Sequence, residues 1–226
     1  MTIEVLLFAV IRSVLQQQQF DHAVKNNLRA TQYQILRAQL KPHFLFNSLN
    51  LISSEIERDP KLAVELLDHL CELLRAALSA TEKPLISLGE ELDLLQLYLE
   101  IQQRRFGERL QYNIERHEPH SGCLLPPMLL QPLVENAIKH GISPYKGGGK
   151  VSVMTATENG QLHITIHDNG RGFDQNEIDV GLGLELVRES ITLLYAPDID
   201  LASRAFLVRS MPGEGTTVTL RLPCKK

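Results

Sequence analysis

Cysteine, clustered basic charge and long apolar runs are all scarce in this chain of 226 residues, and each scarcity narrows what the chain can be. The three cysteines, Cys71, Cys123 and Cys224, are scattered without CxxC spacing. That pattern argues against a zinc site or a disulfide framework and reads as reduced thiols in a cytosolic setting. The longest basic cluster is Arg104-Arg105 and the formal net charge is −4, which argues against bulk nucleic-acid binding. Residues 3–11, IEVLLFAVI, are apolar but reach only about half of the ~20 residues needed to span a bilayer. They lack the basic flank and the cleavage site of a secretion signal. They fit a short amphipathic start or the trimmed end of a membrane segment. The expected location is cytoplasmic, with any membrane anchor belonging to a longer natural protein.

Glycine is nearly absent from about Ser13 to Arg105, a stretch rich in helix formers. Val24, Leu28, Thr31, Ile35 and Ala38 recur at heptad-like spacing, a seam that joins two helices or two chains. Pro42 interrupts that pattern directly before His43, where a proline kinks or restarts a helix. A second helix is expected after Asp59-Pro60, an N-cap followed by a proline suited to the first helical position. Its apolar stripe is Leu62, Leu66, Leu70, Leu73, Leu74 and Leu78, and TEKP at residues 81–84 ends it. A third helix starts after Ser87, which forms a capping box with Glu90, and carries Leu92, Leu95, Leu99 and Ile101.

From Gly107 glycine, proline and β-branched alternation appear, and a domain boundary is expected there. LQYNIER reads as a strand, and LLQPLVENAIKHGI as a helix introduced by Pro126-Pro127. KVSVMTATE and QLHITIHD read as a strand pair turned at Asn159-Gly160. ELVRESITLLY reads as a helix, and FLVRSM and TTVTLRLP as strands around Gly213-Glu214-Gly215.

Three local patterns could hold a nucleotide, and each alone has a plain structural explanation. Asp168 ends a strand and precedes Asn-Gly-Arg-Gly, where a carboxylate can accept a hydrogen bond from adenine's amine; the same string is also an ordinary polar turn. Gly181-Leu182-Gly183 runs into a helix near Leu184, offering free N–H groups to phosphate, although glycines often merely start helices. Asn136, Lys139 and His140 fall on one helical side, able to present a magnesium-binding amide and two phosphate contacts, or else a solvated face.

In combination, the order helix-Asn, strand-Asp-x-Gly-x-Gly, Gly-x-Gly-helix resembles the N box and two glycine boxes of the gyrase–Hsp90–histidine kinase–MutL superfamily. LKPHFLFNSLN, LYLEIQQRRFGERL and LLPPMLLQPLVENAIKHGI tighten the likeness to the LytS-type sensor histidine kinases, in which PHFLFN carries the phospho-accepting histidine. The similarity covers roughly residues 30–223. It implies an α-helical dimerisation and phosphoacceptor stem over residues 1–106. An ATP-binding α/β two-layer sandwich of the Bergerat fold follows over residues 107–226, with a mixed, mostly antiparallel sheet.

The resemblance also implies roles. His43 is the phosphoacceptor, Asn136 the magnesium ligand, and Lys139 and His140 phosphate-side contacts. Asp168 reads adenine, Gly170 and Gly172 form the first glycine turn, and Gly181, Gly183 and Leu184 form the phosphate-side loop. Thr216 and Thr217 close the adenine end. The implied cofactors are ATP and Mg2+, and the implied reaction is autophosphorylation followed by transfer to an aspartate of a response regulator, often one with a LytTR domain. The stem seam implies a homodimer, against single-chain packing of the same seam on the Leu62–Leu78 helix.

Two positions depart from related patterns. Many histidine kinases carry a carboxylate directly after the acceptor; here stands Phe44, so Asn47 is a candidate to orient the imidazole and Glu135 a candidate base. Gyrase-like relatives place a water-activating glutamate where this chain has Pro132, which favours transfer over hydrolysis. Asp174–Val180 reads as a short lid. Two other classes remain open: a nucleotide-binding module without autokinase activity, and a serine kinase of the anti-sigma-factor kind.

Overall fold

The computed structural model describes residues 42–116, 123–174, 184, 187–188, 190–191 and 205–224. The Val24–Ala38 seam, the apolar start at residues 3–11, the kink expected ahead of Pro42, Gly181, Gly183 and lid residues 175–180 lie outside them. The described parts belong to one compact unit.

Among the described residues three helices come first: α1 (Pro42–Arg58), α2 (Pro60–Thr81) and α3 (Leu88–Phe106). Asp59 separates the first two and caps α2, its carboxylate accepting from the Leu62 N–H at 3.1 Å, with Pro60 in the first turn. The capping box at α3 is present in both halves, Ser87 and Glu90 each satisfying the other's backbone N–H. α1 buries Phe44, Ser48, Ile52 and Glu55, a stripe at helical spacing. α2 buries Leu66, Leu70 and Leu73, but Leu78 is 65 % exposed, so the stripe expected to end there turns outward. α3 buries more than the expected stripe, adding Glu91, Leu94, Tyr98 and Gln102 to Leu92, Leu95, Leu99 and Ile101. The wider buried surface arises because α3 packs on α2 and α1 and also on the first strand of the main sheet.

Strands β1 (Ile86–Ser87) and β3 (Leu124–Leu125) make a small antiparallel ribbon that ties the start of α3 to the segment leading toward Gln131. The main sheet holds β2 (Leu110–Glu115), β4 (Gly149–Glu158), β5 (Gln161–Asp168), β6 (Phe206–Met211) and β7 (Gly215–Pro223) in the order β2-β4-β5-β7-β6. Only β2 with β4 is parallel, so the sheet is mixed and mostly antiparallel. Asn159 and Gly160 both take positive φ, the primed turn that suits a two-residue hairpin between β4 and β5. Along β5, Leu162, Ile164, Ile166 and Asp168 are the buried positions, with period two. Asp168 therefore occupies the last inward position of its strand.

Two expectations need correction. The helix expected over residues 129–142 starts two residues later, at Gln131, as α4 (Gln131–Asn136), and runs on as a π-helix over Ala137–Ile142. Met128 has φ +60, and Glu91 on α3 accepts the Met128 and Leu130 N–H groups at 2.7 and 2.8 Å. A left-handed residue cannot continue a helix, and the buried carboxylate satisfies N–H groups that a helical turn would otherwise use. The second concerns the cysteines: Cys123 and Cys224 form a disulfide, their Cα atoms 4.5 Å apart and 101 residues apart in sequence. β3 and the end of β7 meet only in the folded chain, so sequence spacing held no sign of the pair. Cys71 alone is a free thiol.

Candidate functional site

The site forms where β5 ends. After Asp168 the chain turns sharply, with Asn169 Oδ1 accepting the Lys150 N–H at 2.6 Å. The Arg171 N–H donates to the Gly141 carbonyl at 3.0 Å, which stitches this turn to the segment that follows α4. On the other side, the Gly213 N–H donates to the Arg171 carbonyl at 2.7 Å and the Phe173 N–H to Ser210 Oγ at 3.0 Å. Ser210 Oγ also bonds the Gly215 carbonyl and Thr216 Oγ1, each at 3.0 Å. The turn is thus held between the α4 segment and the β6–β7 hairpin.

Glycines permit this closeness. A Cβ on Gly141 would run into the Asp168 carboxylate, one on Gly170 into the Gly141 backbone, and one on Gly215 into the Asp168 carbonyl. Gly172 has φ +59, and a Cβ there would meet the Met211 carbonyl. These glycines let protein segments approach one another around Asp168, a crowding that a side chain would fill. Gly141 ends the KHG string and Gly215 belongs to a hairpin. Neither showed a site role in sequence, because the contact that demands glycine lies far along the chain.

Asp168 is 3 % exposed. Burial pushes its carboxyl up to about 6, against the Gly170 N–H, the neighbouring His167 and the Thr216 N–H, which all favour the charge. A desolvated carboxylate with few partners is suited to accept from a polar group arriving from outside.

The other expected residues distribute as follows. Asn136 closes α4 and is half-buried; Lys139 and His140 are exposed. They do not extend one α-helical face, because Ala137–Ile142 winds as a π-helix, whose i→i+5 bonding changes the angular spacing. Thr216 pairs with Asp168 across the sheet, whereas Thr217 bonds His167 Nδ1 at 3.0 Å, one residue along in a strand whose side chains alternate between faces. Leu184 is helical, half-buried and packed against the core. His43 lies in the first turn of α1, with Asn47 one turn on. Glu135 neighbours Tyr98 closely enough for its charge, after burial, to help push the phenol up.

The second half of the chain, which carries this buried strand-end carboxylate, belongs to a class of ATP-binding domain. Residues 127–226 match the model of the histidine kinase-, DNA gyrase B- and HSP90-like ATPases, and residues 31–110 match the histidine kinase model. The chain belongs to the sensor histidine kinases of the LytS type. It is 35 % identical over 199 residues to the sensor histidine kinase BtsS of Escherichia coli, covering 88 % of this chain and 34 % of that protein. It is 32 % identical over 210 residues to the sensor protein LytS of Staphylococcus haemolyticus, covering 87 % and 35 %. The chain spans about a third of the length of these relatives. The histidine kinase domain of a blue-light activated kinase from Erythrobacter litoralis aligns at 20 % identity and a TM-score of 0.48 over 88 % of this chain and 96 % of that one. Among the described residues, no helix is long and apolar enough to cross a membrane.

Proposed function

We propose that this chain is an ATP-dependent protein-histidine kinase core that phosphorylates itself on His43 and passes the phosphoryl group to an aspartate of a response-regulator receiver domain. One observation carries the reading: Gly141, five residues past Asn136, lies against the Asp168 carboxylate in a chain whose first described helix carries His43 in its first turn.

The roles follow from chemistry. The Asp168 carboxylate accepts from the adenine amine, and Gly170 and Gly172 hold the turn that keeps it there. Asn136 would supply an amide oxygen to a magnesium ion, and the ion would neutralise phosphate charge there. Lys139 and His140, both exposed, contact the phosphates, with Gly181, Gly183 and Leu184 on their far side. Thr216 borders the adenine end, and Thr217 supports it from the neighbouring position. A neutral His43 nitrogen then forms a P–N bond to the γ-phosphorus as the bond to the ADP oxygen breaks, and the imidazole proton leaves to a base. In the second step the P–N bond breaks as an aspartate oxygen takes the phosphoryl group. Asn47 orients the imidazole, and Glu135 is the candidate base. Pro132, in the first turn of α4, cannot activate water, which favours transfer over hydrolysis.

The stem over residues 1–106 acts as a homodimer and the rest as the ATP-binding part, with α3 touching both. Exposed Phe46, Leu49 and Ile56 on α1, and Val64, Leu67 and Leu78 on α2, support a second copy covering this surface. The receiver belongs to a response regulator, of the LytTR kind, on the cytoplasmic side of the membrane. Incubation with labelled ATP and magnesium tests the core reading. Acid-labile, alkali-stable label that vanishes in His43→Gln supports it. ATP binding without label points to a nucleotide-binding module, and acid-stable label on an added protein points to a serine kinase.

A further inference from the structure

We infer that Tyr98 is a positioning residue that carries the placement of the His43 helix to the Asn136 helix. The inference rests on the kinase reading above and adds a residue that the pocket motifs do not contain.

Tyr98 lies in the middle of α3 and is only 2 % exposed. Its ring meets that of Phe44, the residue after His43, with centroids 5.1 Å apart and planes tilted by 41°. Phe44 is itself 5 % exposed, so the pair is enclosed and its geometry is set by packing. The charge of Glu135, the residue before Asn136, adds to burial in pushing the Tyr98 phenol up. Tyr98 thus touches the immediate neighbour of the acceptor histidine, and the charge of the immediate neighbour of the magnesium-binding candidate reaches it.

One further feature fits a coupling role better than plain core filling. Two turns earlier on α3, Glu91 grips the Met128 and Leu130 N–H groups just ahead of α4. That clamp holds α4 against α3, so the Phe44–Tyr98 contact sets α1 relative to α4 as well. Phe44 also gains a role here: the residue standing where other kinases keep a carboxylate anchors the helix to Tyr98.

The test is steady-state autophosphorylation of the whole chain, with ATP affinity and thermal melting measured on each variant. Tyr98→Leu is expected to leave ATP affinity within about twofold and to lower the rate at saturating ATP by more than tenfold. Tyr98→Phe, which keeps the ring, is expected to restore the rate. Phe44→Leu should reproduce the same split, and it carries the test if Tyr98→Leu does not fold. Parallel loss of affinity and rate, or an unchanged rate in both leucine variants, overturns the inference. Amide hydrogen exchange over Gln131–Ile142 gives a reading that needs no phosphorylation. Faster exchange there in Phe44→Leu supports the coupling; unchanged exchange sinks it, even in a chain whose wild type labels no histidine. Wild-type labelling at His43 reports on the kinase reading separately.

Discussion

Replacing Asp168 by asparagine separates what this carboxylate does for the fold from what it does for the nucleotide. In the folded chain burial raises its pKa from 3.8 to about 6. A rise of that size penalises the charged form by about 3 kcal/mol. The folded pKa exceeds the unfolded one, so below about pH 4 both states hold the proton and the penalty vanishes. As pH rises through 4 to 6 the unfolded chain releases its proton first, and stability falls. Above about pH 7 the penalty is complete and flat. Roughly 1.4 kcal/mol of it develops between pH 5 and 8, a window mild enough for urea unfolding. Asp168→Asn cannot ionise and lacks this slope. Its stability minus that of the wild type should therefore rise by about that amount from pH 5 to pH 8, since the other titrating groups cancel in the difference. The absolute offset carries a second contribution, because a buried amide N–H needs an acceptor and costs about 1–3 kcal/mol without one; the change with pH is free of it. ATP affinity should move the opposite way and fall at least tenfold at pH 8. A difference in stability that does not change between pH 5 and 8 refutes the argument that Asp168 is held ionised at the expense of the fold.

Gly141→Ala should lose nucleotide binding and destabilise the chain by more than about 1 kcal/mol, because its Cβ meets the Asp168 carboxylate; calorimetry with ATP and urea unfolding check both. Cys224→Ser opens a disulfide spanning 101 residues and should lower stability under oxidising conditions by up to about 5 kcal/mol on the chain-entropy account. Under reducing conditions the wild type should match it, as melting with and without dithiothreitol will show. Sedimentation equilibrium should find a dimer at micromolar concentration, and Val64→Glu with Leu67→Glu should shift it toward monomer, since both residues are exposed on one helix.

Where one element carried its own signal, the sequence was enough. Asp59 and the Ser87–Glu90 pair act on residues three positions away, so the caps of α2 and α3 could be read locally. The Asn159-Gly160 turn and the alternation of β5 are likewise local, and together they aim Asp168 inward. The order of motifs then pointed to the family. What escaped notice depends on residues far apart in sequence. Glu91 is an ordinary helical glutamate until Met128 and Leu130 reach it, and no pattern in α3 distinguishes it. Cys123 and Cys224 carry no spacing that pairs them. Gly141 is required by Asp168, a neighbour only once β5 lies beside the α4 segment. Periodicity also placed Leu78 in the core, whereas it is exposed, as are Val64 and Leu67 on the same helix.

The central claim is that the proposed nucleotide site around Asp168 and the histidine of α1 are two halves of one transfer. Mass-spectrometric mapping of phosphopeptides, prepared at alkaline pH after incubation with ATP and magnesium, tests it most directly. A single phosphorylated site at His43, absent from Asp168→Asn, is the predicted result. ATP bound at the pocket with His43 unmodified, or a phosphoryl group on any other residue, would contradict it.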